Sequence, residues 1–262
     1  MEIPEGELRD KLNAYLAQGG KLLLTGRSGT YGGQFVFDFG ADFLGAGEYR
    51  PAYLKPTYDL APNGNTAYVM YSRNYRIALR EGCPMESIPV IRMDPYFNRA
   101  PRRFCSHQHT PYDRSAMETA SVITPSVAYI GWEIFTEYAE KGAIHLRYAV
   151  TDVIDRLLGD KTLTTNLPAC GITSVAVKET EAGTQLIHQL VYAIPKVRGG
   201  GVEIIEDLPF TPDVTCTLAV PSAPKRVYLA PAMTDLPFAY EDGRVTYTVP
   251  GFSCSAMVVV EM

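Results

Sequence analysis

Apolar residues recur at Leu8, Leu12, Ala14, Tyr15 and Leu16 in the stretch PEGELRDKLNAYLAQGG. That helical spacing runs into Gly19 and Gly20, a pair suited to closing a helix C-terminus. KLLLTG follows, a short apolar run closed by glycine, which predicts a buried parallel strand. SIPVIRMD reads as another strand, and SVAYIGWEIFTEYAEKG as a strand feeding a helix with Ile134, Phe135 and Tyr138 on one face. AIHLRYAVTDVIDRLLG places Leu146, Val150, Ile154 and Leu157 on one stripe and stops at Gly159, again a helix. Between Gly26 and Thr66 the sequence is rich in Gly, Tyr and Phe with little periodicity, which predicts long loops.

After Asn166 the pattern changes. GITSVAVKET, TQLIHQLVYAI, GVEIIEDL, VTCTLAVP, KRVYLAPA, RVTYTVPGF and SAMVVVEM are β-branched or alternating runs, separated by EAG, RGGG, PSAP and EDG turns. Short strands at close spacing with no helix among them predict an antiparallel β-sandwich. Two domains are expected, an α/β domain over 1–165 and a sandwich over 166–262.

Composition narrows the functions. With 46% hydrophobic and 20% charged residues among 262, the chain can bury two ordinary cores. A formal charge of −5 and no dense Lys/Arg cluster argue against nucleic acid or an anionic membrane as partner. Arg99, Arg102 and Arg103 are the nearest approach to such a cluster. No signal peptide opens the chain and no apolar run reaches the roughly 20 residues of a membrane span, so a cytoplasmic protein, or a piece of a larger one, is expected. The five cysteines are scattered, without a CxxC pair, so neither a disulfide framework nor a thiolate zinc site is implied.

The order of LNAYLAQGGKLLLTGRSG, FCSHQHTP, VAYIGWEIFTEYAEKGAIHLRYAVTDVIDRLLG, LTTNLP and the sandwich with QLIHQLVYAI resembles the region downstream of the catalytic barrel in beta-galactosidase-like glycoside hydrolases with a trimerisation domain, and in related uncharacterised proteins. The resemblance covers nearly the whole chain. It implies a flavodoxin-like, class I glutamine-amidotransferase-like domain, here without its first strands, followed by the β-sandwich. The (β/α)₈ barrel holding that family's catalytic carboxylates needs about 250 residues and is not encoded in this stretch. The implied role is therefore non-catalytic assembly and shaping of an active-site rim, with no cofactor. A carbohydrate ligand and a barrel encoded upstream are the implied partners. An uncovered sheet edge would favour a homo-oligomer.

FCSHQHTP holds His107 and His109, two of the four histidines. As a strand it would put Cys105, His107 and His109 on one face, a geometry open to a metal, with Asp113 and Asp94 as further ligands. Zinc requires three or four protein ligands, so no metal is expected; the alternatives are a hydrogen-bonded pair or a polar contact strip. The resemblance adds a third reading, an insertion packing towards a sugar pocket, with His107, His109, Arg103, Asp113 and Trp132 as rim or binding candidates. Trp132 could also be core, aromatic burial being the commoner fate.

TGRSG, Thr25 to Gly29, stands where an amidotransferase-like fold carries its nucleophile, but Ser28 lacks the GxSxG spacing and an identified base. Asp94, Asp113, Glu118 and Glu133 form no pair by spacing, as glycoside hydrolysis would require. His188 is expected on an outward or edge face, and His145 in a structural role. Alternative activities are a carbohydrate-binding module and a metal-dependent or amidotransferase-like enzyme.

Overall fold

A computed structural model describes residues 2–60, 64–83 and 88–262. The chain divides into two compact units, Met1–Gly159 and Asp160–Met262. Strands account for 45% of it and helices for 13%, with three helices among the described residues.

In the first unit α1 (Glu7–Ala17) leads to β1 (Leu22–Thr25), followed by β2 (Thr30–Tyr31), β3 (Gln34–Phe35), β4 (Ala41–Ala46), β5 (Ala52–Pro56), β6 (Tyr68–Met70), β7 (Tyr75–Leu79), β8 (Val90–Pro95) and β9 (Tyr112–Thr119). β10 (Ser121–Ile123), β11 (Val127–Ile130), α2 (Ile134–Lys141) and α3 (Ile144–Leu158) complete it. β1 pairs in parallel with β11, whose other edge carries β10 antiparallel. Val122, Val127 and Tyr129 turn to one side, against Leu24, Phe37 and Phe39 and the half-buried Leu12 and Leu16 of α1. Ile123, Ala128 and Ile130 turn to the other, against Trp132 and the α3 residues Leu146, Val150, Val153 and Leu157. Covering both faces explains why these strands are apolar without alternation.

The flavodoxin-like expectation is wrong. One parallel pair does not make a doubly wound sheet, and the chain between its two strands is antiparallel: β2–β3, β4–β7 and the order β6-β5-β8-β9. The expected long loops after Gly26 are in fact β2 to β5, while residues 61–63 of that stretch, and Ser87 of the predicted strand SIPVIRMD, lie outside the described residues. Aromatic side chains help to pack this insertion. Phe35, Phe39 and Tyr129 meet at ring centroid distances of 4.8 and 4.9 Å.

α3 ends at Gly159 as its stripe predicts, φ +68° there being a backbone state glycine adopts freely. α2 presents a different face from the one expected. Ile134 and Glu137 are buried, whereas Phe135 and Tyr138 are exposed.

The second unit is a β-sandwich. Its strands are β12 (Leu163–Thr165), β13 (Ile172–Thr180), β14 (Gly183–Tyr192), β15 (Lys196–Arg198), β16 (Val202–Ile204), β17 (Phe210–Thr211), β18 (Val214–Ala219), β19 (Arg226–Ala230), β20 (Thr234–Asp235), β21 (Phe238–Glu241), β22 (Arg244–Val249) and β23 (Phe252–Glu261). One sheet has the order β12-β18-β22-β21 and the other β13-β14-β23-β19-β20, with β17 also on β23. Val214, Cys216 and Leu218 from the first sheet meet Leu186, Leu190, Val258 and Val260 from the second.

His188 is not outward-facing. It shares the inner face of β14 with Leu186 and Leu190 and has no solvent exposure. Its Nε2 lies 2.5 Å from the Thr173 hydroxyl and its Nδ1 2.6 Å from the hydroxyl of Tyr247 on the opposite sheet. Burial without a carboxylate partner favours the neutral ring and lowers its pKa to about 4.

Candidate functional site

Three connections of the first unit are laced together by hydrogen bonds: residues 47–51 between β4 and β5, 71–74 between β6 and β7, and 96–111 between β8 and β9. Asn98 accepts from the Arg50 amide at 3.1 Å and donates to the Glu48 carbonyl at 3.0 Å. The Arg50 Nε donates to the Tyr71 carbonyl at 2.6 Å. The Tyr71 hydroxyl lies 3.1 Å from His109 Nδ1. Edge-on contacts with Tyr53 and Tyr71 fix the His109 ring, and Tyr53 is itself fixed by donating to the Thr110 carbonyl at 2.6 Å. Burial, with Tyr71 nearby, pushes the Tyr53 phenol up, so it remains a donor. Gly47 permits the close approach, since a Cβ there would fall 1.7 Å from Asn74 Oδ1.

The predicted site residues are not assembled as expected. FCSHQHTP forms no strand but a series of bends, so Cys105, His107 and His109 do not share a strand face. His109 is half-buried against the tyrosines, while His107 is exposed and its carbonyl lies 3.5 Å from Cys105 Sγ. Arg103 is exposed, its backbone paired with Ala100 in a tight turn and its guanidinium 5.5 Å from the Phe97 ring centroid. Asp113 accepts from the amide and hydroxyl of Ser115 at 2.9 and 2.7 Å. Those bonds, the hydroxyl's first, hold its carboxyl below the usual range. Trp132 is fully buried in the core and offers no ring face to a sugar. Among the described residues no group of three His, Cys, Asp or Glu side chains is placed to hold a metal ion.

Spacing did not reveal a carboxylate pair, but folding brings one together. Arg92 is almost wholly buried and donates to Asp94 at 2.8 and 3.2 Å and to Glu118 at 2.7 Å. Arg76 adds two bonds to Glu118, both 2.9 Å. The signal was Arg92 itself, a cation among the apolar residues of PVIRM. The Arg76 hydrogen bonds, with help from Arg92, hold the Glu118 carboxyl below its ordinary value. A glycosidase's general acid needs the opposite, a carboxyl kept protonated by a raised pKa.

Ser28 is likewise committed. Its hydroxyl accepts from the Thr25 amide and donates to the Thr25 carbonyl, both at 2.7 Å, closing the end of β1 rather than presenting a nucleophile. Glu137 accepts from the Ser72 amide, and His145 stacks on Tyr68 at 4.4 Å, the structural role expected of it. No described helix is long and apolar enough to cross a membrane.

No family model matches the chain, and neither does any curated protein. Among solved structures, α-L-fucosidase isoenzyme 2 from Paenibacillus thiaminolyticus aligns with 99% of this chain at 40% identity and a TM-score of 0.90. The chain spans only 39% of that enzyme's length. A beta-galactosidase from Rahnella sp. R3 aligns with 98% of this chain and 31% of its own, but at 12% identity and a TM-score of 0.48 it carries no argument. On the fucosidase likeness, the chain is glycoside-hydrolase-related.

Proposed function

We propose that this chain is a non-catalytic region of a glycoside hydrolase, serving assembly and the shaping of an active-site rim contributed by another segment. The observation that carries the reading is the near-complete likeness to about two fifths of an α-L-fucosidase chain. The chemistry agrees with it. Asp94 and Glu118 are neutralised by arginines, and the Ser28 hydroxyl is spent on the backbone. The laced loops around His109 hold the half-buried Tyr71 and His109 against each other, an ordered polar feature of the kind a rim requires. Assembly as a homo-oligomer belongs to the same proposal.

The purified chain is expected to turn over no nitrophenyl glycoside, α-L-fucoside and β-galactoside included, and to scatter light as an oligomer. Turnover that co-purifies with the chain through successive columns, and is lost on Glu118→Gln, would sink the reading.

A further inference from the structure

Apart from the His109 loops, the first unit has two clefts that share one wall. The larger, about 410 Å³, is lined by Gln34, Phe35, Asp42, Phe43 and Arg80 among others. The smaller, about 250 Å³, is lined by Arg27, Phe43, Gly45, Ala46, Arg73 and Tyr75. Phe43 is the wall. Its half-exposed ring stacks obliquely on Tyr75 at 5.6 Å and meets Phe35 edge-on at 5.4 Å, so it stands as a braced aromatic ridge. The pairing of β4 with β7 shifts register between Phe43 and Gly45, the kind of bulge that re-aims a side chain. Arg27 and Tyr75 also place the smaller cleft by the carboxyl end of β1.

We infer that this ridge binds a neutral saccharide, one or two pyranose rings long, with Phe43 against the C–H face of a ring and the flanking side chains bonding its hydroxyls. The inference rests on the glycoside-hydrolase reading for its ligand class. The residues supply what a polyol demands, an apolar face with donors and acceptors around it. Arg27 and Arg73 flank the smaller cleft, whose lining is otherwise apolar. The Tyr75 hydroxyl is held in place by donating to Glu133 at 3.0 Å and by a bond with Arg73. In the larger cleft Gln34 and Asp42 add acceptors. An anionic ligand fits less well because Arg27 already pairs with Glu2 and Arg80 with Asp38 and Asp42.

The test is a titration of the full ¹⁵N-labelled chain with L-fucose, D-galactose and lactose, with inorganic phosphate and glycerol run in parallel. At least one saccharide is expected to shift the Gly45 and Ala46 amides with a Kd that is roughly millimolar. Phe43→Ala and Arg73→Gln should each weaken that binding by about tenfold or more. Arg73 is exposed, so its replacement reports on binding even if Phe43→Ala fails to fold. Shifts produced by phosphate but by no saccharide, equal shifts from glycerol, or none at all would overturn the inference, as would Arg73→Gln binding as tightly as the parent. Each of those results leaves the glycosidase assay untouched, so this inference and the non-catalytic reading fail separately.

Discussion

The two units solve the problem of buried polar groups in opposite ways. In the sandwich, His188 enters the core as a neutral ring, hydrogen-bonded to Thr173 and Tyr247. In the first unit Arg92 enters as a full charge, balanced by Asp94 and Glu118. The sandwich accommodates neutral polar groups, His188 and Thr211, because its two alternating sheets supply a largely apolar interior. The first unit joins short strands and long connections, and its charge pairs tie β8 to β9 and, through Arg76, to β7. The difference predicts that the units respond to different insults, and Trp132, the chain's single tryptophan, reports fluorescence from the first unit alone.

The largest effect is expected from Trp132→Ala, which removes the bulkiest side chain of the first core and costs about 3–5 kcal/mol. Backbone amide exchange should show the loss confined to the first unit; equal loss in the sandwich would erase the contrast.

Acid is the next lever and acts on the sandwich first. His188 titrates near 4 in the folded unit and at an ordinary value of about 6.5 when unfolded. Its contribution is therefore complete above that ordinary value and is lost as pH falls from it towards 4, to a total on the order of 3 kcal/mol. The Glu118 contribution is complete above the usual carboxylate value and is lost only on further acidification through its lowered folded value. Denaturant midpoints taken at several pH values, by tryptophan fluorescence for the first unit and amide exchange for the second, should show the sandwich weakening earlier. Parallel curves would contradict the assignment.

Glu118→Gln breaks charge-assisted bonds to Arg76 and Arg92 and should cost the first unit about 1.5 kcal/mol, the low end for such bonds because the carboxylate is partly exposed. Ser28→Ala, which opens only the turn after β1, should cost about 0.5–1.5 kcal/mol and leave any hydrolytic background unchanged. A change in background would restore the nucleophile reading that the hydroxyl's bonds to Thr25 argue against.

Several elements were legible in the sequence because local spacing determines them: α3 with its stripe, the glycine that ends it, the parallel strand within KLLLT and the alternating runs of the sandwich. Others carried a signal that was misread. Phe35, Phe37, Phe39 and Ala41 alternate, and three of them are buried, so the stretch taken for loops held a period of two. Leu186, His188 and Leu190 alternate too, which already places His188 inside. The resemblance suggested a flavodoxin-like sheet because one helix–strand unit matches it, but pairing between distant strands decides a fold. The site was legible only as His109. Its partner Tyr71 is 38 residues away, and the Tyr53 to Thr110 bond spans 57, separations at which local pattern is silent.

The parallel pair at the centre of the first unit also sets an order of events during synthesis. Leu22 sits opposite Val127, so β1 cannot pair with β11 until the whole antiparallel insertion between them has left the ribosome. At ordinary elongation rates that wait is roughly 5–20 s, and closing a loop of about 100 residues then costs roughly 4 kcal/mol of chain entropy. An insertion that has already folded shortens the effective loop, so the antiparallel sheets are the natural template on which β1 is captured. Of this pair, the strand translated earlier is thus among the last of the unit to be fixed, and until then Leu22, Leu23 and Leu24 are a segment a nascent-chain chaperone would meet.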